Sequence, residues 1–132
     1  MPAAAADHDE VLRLTTRLLE SIAQRDWATY AELCDPGLTA FEPEACGQLV
    51  EGLAFHEFYF QLGGGSRPSR VTLCAPRVRL MGDVAVATYV RLVQSVGPEG
   101  PATTASDETR VWQRLEGAWR HVHFHRSAVE VK

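Results

Sequence analysis

The sequence predicts a single α+β domain. Three observations carry the prediction: a helical period through the first third, a change to a two-residue period after about residue 69, and turn-forming residues spaced along the later part. No internal repeat breaks the 132 residues into smaller units. Residues 1–6 read as a disordered start and 7–132 as the domain.

The elements follow in order. In "DHDEVLRLTTRLLESIAQRD", Val11, Leu14, Leu18 and Ile22 recur at helical intervals, and Leu12 and Leu19 widen the stripe. Asp7, with Glu10 three residues later, has the pattern of a capping box. A second helix, "WATYAELC", is expected with Asp26 as its N-cap, ending before the turn-former Asp35-Pro36-Gly37. "LTAFEP" reads as a short strand cut off by Pro43. "GLAFHEFYFQL" has helical spacing and ends at "GGGSRP", a loop. Four strands follow, "SRVTLCAPRVRLMG", "VAVATYVRLVQSV", "SDETRVWQRLEG" and "AWRHVHFHRSAVEV". Their expected turns are Gly82-Asp83, "GPEGPATT" and Glu116-Gly117.

Composition excludes several function classes. With 45% hydrophobic and 23% charged residues the chain is globular. A net charge of −4 argues against nucleic-acid or acidic-membrane partners. No apolar run nears the roughly 20 residues that span a bilayer. Cys34, Cys46 and Cys74 form no Cys-x-x-Cys pair, which predicts reduced thiols and a cytoplasmic setting.

Arginines in apolar strands raise the functional question. Arg91, Arg110 and Arg126 lie in strands expected to pair side by side. They either converge on a wet cavity suited to a carboxylate, or sit at strand ends and pair with acids such as Glu108 or Asp107. The alternating His121, His123 and His125 share one face of a regular strand. The outer two are then about 13 Å apart, too far to share one metal ion, so no metal site is expected. Asp35 and His56 are the acid–base candidates on the helical side, although Asp35 also suits its turn. No compact catalytic motif occurs, and no cofactor is expected.

"CDPGLTAFEPEACGQLVEGLAFHEFYF", "YVRLVQ", "DETRVW" and "VHFHRS", in that order, resemble the association (hub) domain of calcium/calmodulin-dependent protein kinase II, from about Glu10 to Ser127. The resemblance implies a cone-like α+β fold of the nuclear-transport-factor and polyketide-cyclase type. In it a long N-terminal helix packs in a strongly curved antiparallel sheet. It implies a non-catalytic oligomerisation hub that assembles into stacked two-layer rings of about 12–20 subunits. Its partners would be copies of itself and kinase subunits bearing the same hub. It further implies a pocket for small carboxylates, lined by Arg91, Arg110, Arg126, His56 and Tyr30. Arg126 would face that pocket, and the histidine face would point away from it.

On this reading Arg110→Ala weakens carboxylate binding and leaves assembly intact. Trp27, Phe58, Tyr59 and Phe60 are candidate interface anchors, with ordinary core as the equal alternative. The segment "QLGGGSRPSR" is shorter and richer in glycine than its counterpart in the animal kinases. The same cone also hosts small-molecule enzymes of the polyketide-cyclase and ketosteroid-isomerase type, and metabolite-binding modules. These are the alternative readings.

Overall fold

The computed structural model describes residues 2–62 and 69–129; the expected loop "GGGSRP" lies outside them. The first helix, α1, spans Pro2–Ala23, so the segment expected to lack order is helical from Pro2. The reason is local: Ala3–Ala6 have the highest helix propensity, and proline is tolerated in a first turn. Asp7 therefore lies inside α1 rather than capping it, and its carboxylate accepts a 2.6 Å hydrogen bond from Arg114. Val11, Leu14, Leu18 and Leu19 are buried, as the period requires. Arg25 then takes a left-handed conformation, φ 55°, and ends the helix.

Helix α2 is Trp27–Leu33, capped by Asp26, whose side chain accepts from the Thr29 amide and hydroxyl. Strand β1 follows at Cys34–Phe41, then a 3-10 turn at Pro43–Ala45, β2 at Val50–Glu51 and α3 at Ala54–Gln61. The long strands are β3 (Ser69–Met81), β4 (Val84–Gly97), β5 (Gly100–Leu115) and β6 (Ala118–Val129). The expected turn "GPEGPATT" is shorter than its composition suggests. Gly97 pairs with Gly100, and the β-branched Thr103 and Thr104 extend the ladder against Gln94 and Val93.

The six strands form one open sheet in the order β2-β1-β6-β5-β4-β3. Strands β3 to β6 are an antiparallel meander, but β1 runs parallel to β6. The sheet is thus mixed rather than wholly antiparallel. The long stretch of chain between β1 and β6 supplies the crossover that a parallel pair needs. Bulges curve it: Ala75 (φ 50°) and Pro76 interrupt the β3–β4 ladder between Cys74 and Arg77.

The inner face of the sheet carries Ala85, Ala87, Tyr89 and Trp112 beneath the helices. Trp112 Nε1 donates to Thr15 Oγ1 at 3.1 Å, and that hydroxyl donates on to Val11 O at 2.8 Å. This pins α1 to the sheet with no buried donor left over. The other face carries Val86 opposite Val111, both only half-buried in the single chain.

Candidate ligand cavity

Alternation along the strands decides which side chains reach the cavity. Arg91 on β4, Glu108 and Arg110 on β5, and Phe124 and Arg126 on β6 all fall on the inner face. The helices add Tyr30 from α2 and His56 and Phe60 from α3, and the 3-10 turn adds Glu44. Together with Glu42 they enclose about 210 Å³. All five pocket residues expected from the sequence, Arg91, Arg110, Arg126, His56 and Tyr30, line this one cavity. Asp35 does not. Its carboxylate accepts from the Gly37 amide at 2.8 Å, which is the turn role its sequence context suggests.

The acids change the expected electrostatics. The sequence offered Glu108 only as an acid that arginines at strand ends could pair with; its side chain is in fact fully buried beneath the cavity. It accepts from Tyr89 Oη (2.7 Å), Ser106 Oγ (2.8 Å) and Arg110 Nη2 (3.0 Å). Arg91 Nε lies 2.9 Å away as an ion pair, off the line of a hydrogen bond. Burial alone would raise the Glu108 carboxyl. The Arg110 and Arg91 guanidiniums, with the Tyr89 and Ser106 hydroxyls, outweigh it and bring the pKa down to about 2. Arg126 pairs through both carboxylate oxygens with Glu44. Three arginines therefore meet three glutamates, and the cavity is charge-balanced rather than cationic.

Arg110 is the most committed of the three. Nε donates to Tyr89 Oη at 2.7 Å, Nη1 lies 3.5 Å from His121 Nε2, and its guanidinium carbon sits 4.4 Å over the Phe124 ring. It is 1% exposed. Arg91 makes no side-chain hydrogen bond among the described residues beyond its ion pair. Among the described residues, Arg126 is held by the partly exposed Glu44 alone.

His56 and Glu42 face each other, Nδ1 to Oε1, at 3.6 Å. Burial and the Arg110 charge lower the His56 pKa to about 4, so the ring is neutral at pH 7, and its Nε2 has no partner among the described residues. Burial, with Glu44 nearby, lifts the Glu42 carboxyl to about 6 against the opposing arginines. A carboxyl raised in the folded state costs stability as pH climbs from about 4.5 through 6. Glu42→Gln is accordingly expected to stabilise the protein by about 1–2 kcal/mol at pH 7.5 and hardly at pH 4.5. Urea midpoints at one protein concentration and both pH values check this.

The histidine run divides, contrary to the expectation that all three share an outward face. Val111 pairs with His123 while Trp112 pairs with His121, leaving Val122 as an extra residue in β6. On the other side of β6, Cys34 pairs with His121 and Thr39 with His123, so Asp35–Leu38 loop out against Val122. The Asp35-Pro36-Gly37 turn-former works here inside a strand. The bulge flips the parity. His121 is wholly buried, stacked on Phe124 at 5.7 Å and 3.4 Å from Cys34 Sγ, and burial with Arg110 holds its pKa well below the usual value. His123 and His125 stay on the outer face, against Thr39 and Phe41. Burial also pushes the Cys34 thiol up to about 12, so this Cys–His contact is an inert core pair rather than an activated nucleophile.

Of the four candidate interface aromatics, Phe60 and Tyr59 line the cavity beside Tyr30, and Trp27 packs against Phe60 and Tyr30 with centroids 5.1 and 5.5 Å away. Phe58 and Tyr59 are 58% and 41% exposed. No helix among the described residues is long and apolar enough to cross a membrane.

Comparison with known proteins agrees with this fold. A family model described as the calcium/calmodulin dependent protein kinase II association domain matches residues 7–130. The solved Chlamydamonas reinhardtii CamKII hub homology domain is 42% identical, with a TM-score of 0.90, covering 94% of this chain and 98% of that one. The C. elegans association domain is 40% identical, with a TM-score of 0.91, over 96% and 99%. An NTF2-like protein from Cytophaga hutchinsonii shares the fold at 19% identity and a TM-score of 0.76, over 92% and 97%.

Proposed function

Because the chain belongs to the calcium/calmodulin dependent protein kinase II association domain family, we propose that it is a non-catalytic oligomerisation hub. Copies close into stacked two-layer rings of about 12–20 subunits, so that every lateral contact is satisfied. In a cytoplasmic setting such a ring gathers kinase subunits that bear the same hub, raising their local concentration without altering their active sites. Family membership across residues 7–130 is the observation that carries this reading. The half-buried valines of the outer sheet face, with the exposed Phe58 and Tyr59, support it as surface for neighbouring copies.

The cavity adds a second element, binding of a small carboxylate. Arg126 would take the carboxylate in bidentate fashion, with Arg91 beside it, and the ligand body would rest on Phe60 and Phe124. Arg110 supports this site from beneath rather than by contact.

Native mass spectrometry at micromolar concentration tests assembly. With a 14.6 kDa subunit the expected particle exceeds roughly 170 kDa, and a monomer or simple dimer would remove the hub reading. An enzyme or metabolite-binding module is the second reading. It rests on the Glu42–His56 pair inside the cavity, a carboxylate and a neutral imidazole in the arrangement acid–base chemistry uses. A solitary subunit that consumes a cavity ligand would favour that reading instead.

A further inference from the structure

We propose that Glu44 is a resident competitor, holding Arg126 with its own carboxylate, and that an incoming carboxylate binds by displacing it. The inference rests on the carboxylate reading above and assigns the residue that sets its affinity.

The partners of the three arginines differ in what they can release. Glu108 holds Arg110 and Arg91 from a fully buried position, where losing either guanidinium would strand an unhydrated charge. Glu44 is different. Its side chain is 37% exposed, and it stands on a single 3-10 turn that has no side-chain cap and ends at Cys46 in a left-handed conformation. Once released, its carboxylate is hydrated by bulk water. Charge balance points the same way. Three arginines already face three glutamates, so a carboxylate added without departure of an acid leaves one uncompensated negative charge. Outward rotation of Glu44 restores the balance and frees Nη2, the Arg126 nitrogen on which both Glu44 oxygens sit. Glu42 cannot substitute for it, being buried against His56.

The test is calorimetric titration of the assembled protein with benzoate, an aromatic carboxylate suited to the Phe60 and Phe124 wall. Wild type, Glu44→Gln, Glu44→Asp and Arg126→Gln are compared. Glu44 is exposed, so its variants should fold, and thermal melting checks this. Displacement predicts that Glu44→Gln binds benzoate about tenfold more tightly than wild type. Glu44→Asp keeps the charge but is one methylene short of Arg126, and it should also bind more tightly. Arg126→Gln should abolish binding. If wild type binds and Glu44→Gln binds no tighter, competition is overturned while the cavity reading stands. Tightening by Glu44→Gln without any change in Glu44→Asp would mean a general field effect and would equally overturn displacement. Absence of binding in both wild type and Glu44→Gln would remove the carboxylate site and the inference with it.

Discussion

Replacing Arg110 by alanine is expected to unfold or severely destabilise the protein, not merely to weaken ligand binding. Removing this guanidinium takes the hydrogen bonds from Glu108 and Tyr89, the contact to His121 and the cover over Phe124. It leaves Glu108, which has no exposed side-chain surface, with Arg91 as its remaining cation beside the Tyr89 and Ser106 hydroxyls. Breaking a buried pair from one side costs about 3–5 kcal/mol, against a total stability of about 5–15 kcal/mol for a domain. The double variant Glu108→Gln with Arg110→Ala should recover part of the loss, because the stranded charge is gone. Urea midpoints of the two variants measure the coupling. A wild-type midpoint for Arg110→Ala would show that the network is dispensable.

The same network predicts acid sensitivity. Glu108 is held at about 2 in the folded state against an ordinary value of 4.5. Its contribution is fully present above about pH 4.5 and is lost as pH falls through 2, about 3 kcal/mol in all. A Glu108→Gln variant should therefore show a flatter loss of stability over that interval.

These expectations separate what was legible in the sequence from what was not. The inward set of Arg91, Arg110 and Arg126 follows from strand alternation once the pairing of β4, β5 and β6 is granted. Family resemblance added His56 and Tyr30, which no period could have placed. The acids were harder to assign. Glu108 shares a strand face with Arg110 two residues away, yet the sequence offered it only as a strand-end partner in one of two alternatives. Glu42 and Glu44 flank Pro43 in a segment with no period, so their aim into the cavity depends on the turn geometry alone.

The histidine run misled for a different reason. "HVHFH" fits perfect alternation, and nothing within it marks Val122 as a bulge. The cause lies elsewhere in the chain, in Asp35–Leu38 looping out against it. Likewise, the parallel pairing of β1 with β6 depends on contacts far apart in sequence, which local propensity does not encode.

Changing Val111 to glutamate is expected to dismantle the assembly while leaving the subunit folded. Val111 lies in the C-terminal half of β5 on the outer sheet face, opposite Val86 on β4 and His123 on β6. In the isolated chain it is only half-buried, so a glutamate there can reach water and should cost the fold little. Against a second copy of the chain, the same carboxylate would be taken out of water between Val86 and His123, with Arg79 in register only two strands away. An unpaired charge buried at an interface costs several kcal/mol, and in a ring that cost recurs at every contact. Native mass spectrometry should then find small species near the 14.6 kDa subunit in place of the large particle, with circular dichroism unchanged. Val111→Thr, which keeps the branched shape, should retain the assembly. If Val111→Glu assembled like wild type, the outer face would not be where copies meet, and the contact would have to be sought around Phe58 and Tyr59 on α3.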